Sequence, residues 1–444
     1  MRGDAIAIRG LTYILAVARR PDPRPEWVTA VNRGDVLPIA EEATPGFTRD
    51  GLLREARARL GLTSPGAGGS HDGAIADFGD DRFLEPLDVL VAALEEEAQL
   101  TLLGRWITRR FLLRILEGRL QMTAYVRADP GVLDEEIREP LFVAGAPRTG
   151  TTILYALLVE DRAHRAPRGW ELLRPVPPPD PDPDTFAADA RIPLADRELR
   201  LPAIVVDGLD AIHVYGGRQP KEDLSAMSFE FRSEEFTTRY NVPSYIDWLA
   251  RCDMRPAYDT HKLVLQILQR RFTDVQWVLK SPVHMRSFPT LLEVYPDARI
   301  AVTHRDPLRI LPSLTSLVAA LRYAHSDTVD FGEIGRYQSE LWNGNLEQLV
   351  TLTDDGTLDP ARVYHGQYAD FLVEPVGAVR ALYDHLGMTL TPDAERAMHD
   401  YLVAHPQGEH GTHSYSFADI DLDAAEQRAK FARYQERFAV PSEG

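Results

Sequence analysis

Four short runs of apolar residues constrain the fold of this chain more than any other feature. Each run is followed by a turn that is polar or contains Gly or Pro, and then by a longer helical pattern. The runs are Leu141–Ala144, Trp277–Leu279, Ile300–Thr303 and Val363–Tyr364. Strands that are buried on both faces have this composition, and their alternation with helices is typical of a parallel sheet. The sequence therefore predicts an α/β fold with a central parallel sheet flanked by helices.

The part of the chain before the first run indicates a different organisation. Residues 1–77 are rich in Pro, Gly and Arg and include the Gly- and Ser-containing stretch Ser64–Gly73, which is typical of a flexible linker. Apolar residues then recur at helical spacing from Leu84 to Ala98 and from Trp106 to Leu120. We interpret the chain as an N-terminal extension over residues 1–77, a helical region over 78–139 and an α/β domain over 140–444.

Composition disfavours several classes of protein. The formal net charge of -18 argues against nucleic-acid binding, because a phosphate backbone would be repelled. Cys252 is the single cysteine, so an intramolecular disulfide is excluded and a thiolate metal site is disfavoured. No apolar run reaches the roughly 18 residues that a membrane helix needs, and Arg9 interrupts the weakly signal-like stretch Ala5–Val17. We expect a cytoplasmic protein without an integral membrane segment, compatible with a homo-oligomer.

The first apolar run leads into a loop that can wrap an anion. The sequence Gly145-Ala-Pro-Arg-Thr-Gly-Thr-Thr152 joins a predicted strand to a predicted helix. Its glycines let main-chain N–H groups converge, and the helix N-terminus adds partial positive charge. The spacing equals that of the P-loop that binds ATP and GTP, but Thr151 stands where that loop has its lysine. A nucleoside triphosphatase is therefore disfavoured, and Arg148 supplies a cation inside the loop.

Two signatures together resemble the sulfotransferases that use 3′-phosphoadenosine-5′-phosphosulfate (PAPS). The segment Pro147–Thr152 resembles the loop that holds the 5′-phosphosulfate in that family, and Arg305 followed by Ser313 resembles its 3′-phosphate site. The likeness is to the large bacterial branch and extends from about Asp77 to the end of the sequence. It implies a P-loop-like sulfotransferase fold in which the nucleotide contacts Pro147, Arg148, Thr149, Gly150, Thr151, Thr152, Lys280, Arg305, Ser313 and Tyr368.

The resemblance also implies an activity. Such an enzyme moves the sulfuryl group of PAPS to a hydroxyl or amine of an acceptor without a metal ion and releases 3′-phosphoadenosine-5′-phosphate. Lys280, assisted by Arg148, would neutralise charge on the leaving group. The acceptor is open between a small metabolite, a lipid and a glycan. Two other functions compete with this one, a P-loop-type kinase or NTPase and a catalytically silent nucleotide-binding scaffold of the same fold.

The identity of the general base is open between two residues. His213 lies in the segment Leu209–Tyr215, and an imidazole that titrates near neutral pH is suited to take a hydroxyl proton. Glu222 competes with it, because other branches of the family use a glutamate. A further histidine, His284, is expected either to face the acceptor or to cap the helix that follows it.

Overall fold

A five-stranded parallel sheet forms the centre of the part of the chain that the structure describes. The computed structural model describes residues 24–62, 77–206, 209, 216–405 and 417–443 of the 444-residue chain. The base candidate His213 and the predicted linker Ser64–Gly73 lie outside these residues.

All neighbouring strands of the sheet run parallel. The strands are β1 (Leu141–Gly145), β2 (His164–Arg165), β3 (Gln276–Lys280), β4 (Arg299–His304) and β5 (Val363–Gln367). Their order across the sheet is β2-β3-β1-β4-β5. Val143 lies opposite Lys280, Gly145 opposite Thr303, and His304 opposite Gln367, so four strands end at the same edge. The predicted α/β fold with a central parallel sheet is confirmed.

Helices precede the sheet and cover both of its faces. Those before β1 are α1 (Glu26–Asn32), α2 (Leu37–Ala43), α3 (Arg49–Arg59), α4 (Leu84–Glu96) and α5 (Leu102–Ala128). Between β1 and β3 lie α6 (Thr151–Val159), α7 (Gly169–Leu173), α8 (Pro183–Ala187), α9 (Ile192–Val205), α10 (Leu224–Met227), α11 (Glu234–Arg239), α12 (Pro243–Leu249) and α13 (Arg255–Gln269). The remaining helices are α14 (Phe288–Val294), α15 (Pro307–Tyr323), α16 (Phe331–Asp354), α17 (Tyr368–Val373), α18 (Pro375–His385), α19 (Pro392–Ala404), α20 (Ala424–Lys430) and α21 (Ala432–Arg437).

The strands alternate their side chains between two apolar cores, one on each face of the sheet. Phe142 and Ala144 belong to the larger core, which includes residues of α5 and α13. Leu141 and Val143 belong to the second core, together with residues of α6 and α18. Because both faces are covered, the strands are nearly continuous apolar runs rather than alternating ones. This burial explains why the sequence predicts β1, β3, β4 and β5 correctly.

The sequence did not predict β2. This strand contains only His164 and Arg165, which are half-buried and pair with Gln276 and Trp277 at one edge of the sheet. Two polar residues at a sheet edge have no apolar pattern that could identify them as a strand.

The N-terminal helices pack on α5. The predicted helical runs correspond to α4 and α5, and Thr101 caps α5 by accepting a hydrogen bond from the Gly104 main-chain N–H. Leu52 and Ala56 of α3 are buried in the larger core, and Val28 and Val31 of α1 in a smaller one. The division of the chain at residues 77 and 139 stays a prediction. Among the described residues, no helix is long and apolar enough to cross a membrane.

Candidate active site

The loop between β1 and α6 is shaped by unusual backbone angles. Gly145, Arg148 and Gly150 have φ values of +144°, +70° and +93°, which is the region that favours glycine. A Cβ atom on Gly145 would lie 2.5 Å from the Thr303 hydroxyl oxygen, so this residue has no room for a side chain. The loop therefore turns sharply against the end of β4, as the two predicted glycines allow.

The beginning of α6 offers uncapped main-chain donors. Gly150 is the N-cap residue and no side chain of the described residues caps the helix. Thr151 is buried and Thr152 is exposed. The first N–H groups of a helix have no partner inside it, and they bind anions well. This geometry suits a phosphate or sulfate oxygen in front of Thr151 and Thr152.

Thr149 holds the loop together rather than facing outward. Its hydroxyl is fully buried, donates to the Ala146 carbonyl oxygen at 2.7 Å and lies 2.6 Å from the Thr303 hydroxyl. Pro147 is half-buried and Arg148 is exposed. A contact between Thr149 and an anion would therefore use its main-chain N–H.

Arg305 joins this loop to the end of β4. Its Nη1 donates to the Arg148 carbonyl oxygen at 3.0 Å, and its guanidinium lies 4.1 Å from the centre of the Tyr368 ring. Tyr368 begins α17 and also contacts the loop, because a Cβ atom on Gly150 would lie 3.0 Å from the Tyr368 ring. The structure thus brings the predicted residues Arg148, Gly150, Arg305 and Tyr368 together at one edge of the sheet.

Ser313 lies on α15, in the helix that follows Arg305. Its side chain is buried, and its hydroxyl has no hydrogen-bond partner within the described residues. A buried polar group without a partner is costly, and a bound ligand can supply the missing hydrogen bond. In the described part of the structure no hydrogen bond joins the Ser313 hydroxyl to Arg305.

Glu443 is a partner of Arg305 that the sequence did not predict. Its carboxylate accepts hydrogen bonds from Arg305 Nε at 2.8 Å and Nη2 at 2.9 Å. Its main-chain N–H donates to Asp306, which also forms a bidentate ion pair with Arg428. Glu443 is far from Arg305 in the chain, so no local sequence pattern predicts this ion pair.

Lys280 and Glu222 form an ion pair at the end of β3. The Lys280 ammonium is 4% exposed and donates to Glu222 Oε1 at 2.5 Å. The main chain around Glu222 is fixed on both sides, because the Lys221 N–H donates to Pro167 and the Asp223 N–H donates to the Lys280 carbonyl. The structure therefore places one base candidate, Glu222, directly beside the predicted catalytic lysine.

A fully buried network lies next to this ion pair. The Asp223 carboxylate accepts from His284 Nε2 at 3.0 Å, and His261 Nε2 lies 3.3 Å from its second oxygen. Tyr258 and Tyr295 contact the Nδ1 atoms of His284 and His261 at 2.9 and 2.7 Å. Burial opposes ionisation of Asp223, but the two histidines outweigh it and hold the pKa of this carboxyl well below its usual range.

The two expectations for His284 are both wrong. Its side chain is fully buried and bonded to Asp223 and Tyr258, so it does not face an acceptor. It does not cap α14 either, since that helix has Ser287 as its N-cap residue and no side-chain cap. His284 lies in a 3₁₀ turn, Pro282–Ser287, that directs its ring into the core. Within the described residues there is no group of three or more His, Cys, Asp or Glu that could hold a metal ion.

Comparison with known proteins identifies similar chains. Residues 140–392 match the model of a family described as the sulfotransferase family. The chain is 28% identical over 336 residues to the omega-hydroxy-beta-dihydromenaquinone-9 sulfotransferase Stf3 of Mycobacterium bovis, which covers 71% of this chain and 75% of that protein. The Stf3 protein of Mycobacterium tuberculosis gives the same values.

Two crystal structures of mycobacterial sulfotransferases are similar over most of the fold. STF1 from Mycobacterium tuberculosis H37Rv has a TM-score of 0.74 and 30% identity, covering 87% of this chain and 99% of that one. STF9 from Mycobacterium avium has a TM-score of 0.76 and 28% identity, covering 89% and 98%. The central sheet and its flanking helices therefore have the fold that the sequence predicted.

Proposed function

Since this chain belongs to the sulfotransferase family, we propose that it transfers the sulfuryl group of PAPS to a hydroxyl group of an acceptor. The loop Gly145–Thr152 would hold the 5′-phosphosulfate through main-chain N–H groups, with Arg148 as a nearby cation. Arg305 and Ser313 would bind the 3′-phosphate, and Tyr368 would contact the adenosine. The unpartnered hydroxyl of Ser313 supports this assignment, because a phosphate oxygen would satisfy it.

We assign the chemistry to the pair formed by Lys280 and Glu222. The acceptor oxygen forms a bond to sulfur while the bond between sulfur and the phosphate oxygen breaks. The proton of the acceptor hydroxyl passes to the Glu222 carboxylate, and the Lys280 ammonium neutralises the charge that grows on the leaving phosphate. Donor binding would draw Lys280 away from Glu222 and free the carboxylate to act as the base. His213 stays the competing prediction for this role.

The observation that carries the proposal is the contact between Arg305 and the Arg148 carbonyl, because it joins the two proposed phosphate sites. Calorimetry with 3′-phosphoadenosine-5′-phosphate and with ATP plus Mg²⁺ tests it. We expect tight binding of the bisphosphate and weak binding of ATP. A preference for ATP with Mg²⁺ would favour a kinase or NTPase, and binding of neither would favour a silent scaffold. Either result contradicts the proposal.

For the acceptor we propose a hydroxylated lipid. The support is the similarity to Stf3, a protein named for a hydroxylated, lipid-like acceptor, omega-hydroxy-beta-dihydromenaquinone-9. The test is incubation with PAPS and an ω-hydroxylated menaquinone, followed by mass spectrometry for a gain of one SO₃. A lipid extract and a panel of small phenols and glycans serve as comparison acceptors, and selective sulfation of a phenol or glycan would contradict the lipid assignment.

A further inference from the structure

We propose that Asp223 is a positioning residue, which holds Glu222 and Lys280 in their relative places. A buried network in turn holds the Asp223 carboxylate, and its members are His284, His261, Tyr258 and Tyr295. This inference rests on the proposed function, because it assigns the reaction to Glu222 and Lys280. It goes beyond that function by explaining what fixes the two reacting side chains in place. All five side chains of the network are buried.

The hydrogen bonds of the network define one arrangement of protons. Burial raises the pKa of Tyr258 and of Tyr295, so both phenols stay protonated and each can donate to the Nδ1 atom it contacts, on His284 and His261 respectively. His284 Nε2 donates to the Asp223 carboxylate, which leaves its Nδ1 as the acceptor, whereas His261 Nε2 lies 3.3 Å from the same carboxylate without a hydrogen bond. Tyr258 thereby selects the tautomer of His284 that stabilises an ionised, buried Asp223.

Asp223 connects this network to both reacting residues. It directly follows Glu222 in the chain, and its main-chain N–H donates to the Lys280 carbonyl at 3.3 Å. The His284 ring also packs edge-on against Phe142 of the central strand β1, with ring centres 4.9 Å apart. A shift of the Asp223 carboxylate would therefore move the Glu222 main chain relative to the end of β3. Small displacements of this kind are expensive for catalysis, because in-line transfer needs exact placement of the reacting groups.

Paired substitutions at His284 separate positioning from simple packing. The amide of His284→Gln reaches the position of Nε2 and can still donate to Asp223, whereas the shorter amide of His284→Asn reaches only Nδ1. Tyr258→Phe removes the hydroxyl that contacts His284 Nδ1, so the tautomer of His284 is no longer fixed from that side. Tyr383→Phe is the matched control, because its buried hydroxyl donates to Asp161 in the other core. Turnover is measured with PAPS and an ω-hydroxylated menaquinone, and bisphosphate affinity by calorimetry.

We expect His284→Asn and Tyr258→Phe to lower kcat about tenfold, as removal of supporting hydrogen bonds does at other sites. The bisphosphate affinity and the KM for PAPS stay within twofold of wild type, and His284→Gln restores most of the lost kcat. If the enzyme is active and His284→Asn, His284→Gln and Tyr383→Phe have equal kcat values, the inference is overturned but the proposed function is not. A wild-type protein that binds the bisphosphate but sulfates no hydroxyl would instead overturn the proposed function, and the inference with it.

A spectroscopic measurement tests the network without any acceptor. In protein labelled with ¹⁵N-histidine, the ring signals that disappear in His284→Gln belong to His284. We expect these signals to have the pattern of an imidazole protonated on Nε2, and to lose that pattern in Tyr258→Phe. A wild-type His284 protonated on Nδ1 would overturn the inference.

Discussion

Arg305 forms an ion pair with Glu443 in the free protein and would bind the 3′-phosphate in the proposed complex. Its guanidinium uses Nε and Nη2 to bind the Glu443 carboxylate. Burial opposes the charge on Arg305, but Glu443 outweighs it and raises the pKa of the guanidinium. A 3′-phosphate bound by the same two nitrogens has to displace Glu443, because each N–H can serve one strong acceptor at a time. In the proposed complex Glu443 would therefore compete with the nucleotide for Arg305.

We expect Glu443→Gln to tighten binding of 3′-phosphoadenosine-5′-phosphate about threefold. A partly exposed ion pair contributes about 0–1 kcal/mol, and the variant no longer has to break it. Titration calorimetry measures the change. Glu436→Gln is the matched control, because it makes the same change of side chain at an exposed position of α21. Unchanged or weaker binding by Glu443→Gln would contradict the competition.

Substitution of Glu222 and substitution of His213 should affect kcat differently, because only one of the two residues acts as the base. We expect Glu222→Gln to lower kcat about 100-fold, because it keeps the shape of the side chain but removes the proton acceptor. His213→Ala is expected to change kcat by less than about threefold on the same basis. Both are measured with PAPS and an ω-hydroxylated menaquinone, after calorimetry shows that bisphosphate affinity is retained. A larger loss in His213→Ala would assign the base to His213.

At the scale of elements, a motif whose residues are adjacent in the sequence could be predicted. A group of residues that only folding brings together could not. The loop Gly145–Thr152 could be identified because a strand, two glycines and a helix start follow one another within a few residues. Lys280 and Arg305 could be identified because Lys280 ends one buried strand and Arg305 follows another. Parallel strands end at a common edge of the sheet, so residues at the ends of different strands could be expected to lie near one another.

The supporting residues of the site lack such a pattern. Asp223, His261 and His284 belong to three separate elements, and only folding brings them together. In the sequence, the Glu222-Asp223 pair indicates only the start of a helix. A single histidine does not indicate which residue it will contact. Glu443 is equally hidden, because an ion pair between distant residues leaves no local trace.

Thr149 makes a testable contribution to the loop as an element. We expect Thr149→Val to lower the free energy of unfolding by about 1–2 kcal/mol, since it leaves the buried Thr303 hydroxyl without this partner. Urea denaturation measures the change. Thr152→Val is the matched control, because Thr152 is exposed and its substitution should leave the free energy of unfolding unchanged. Equal stability of Thr149→Val and wild type would contradict this role.

At the scale of the whole molecule, buried histidines make stability depend on pH. His325 is fully buried, donates from Nδ1 to the Leu321 carbonyl, and burial lowers its pKa from 6.5 to about 3. The unfolded chain binds this proton near pH 6.5, whereas the folded protein does not until about pH 3. The contribution to stability is therefore complete above about pH 6.5 and is lost as the pH falls towards 3.

We expect the protein to lose stability between pH 7 and pH 5, with His325 accounting for about 2 kcal/mol of the loss. His325→Asn keeps a donor at the position of Nδ1 but cannot titrate, so its stability should fall less over this range. Urea denaturation of both proteins at the two pH values measures the difference. Parallel losses in the two proteins would show that His325 does not cause the pH dependence.

The strand order has a consequence for how the protein is made. β1 lies at the centre of the sheet, yet both of its neighbours, β3 and β4, are synthesised much later. A ribosome that has finished β1 and the loop after it exposes an apolar strand with no partner until Gln276–Lys280 has emerged. Parallel pairing over such a distance is slow, and an unpaired apolar strand is prone to aggregate. We therefore expect the nascent chain to need protection from aggregation until β3 and β4 have been synthesised, and the contact of Arg305 with the loop Gly145–Thr152 to form only after that.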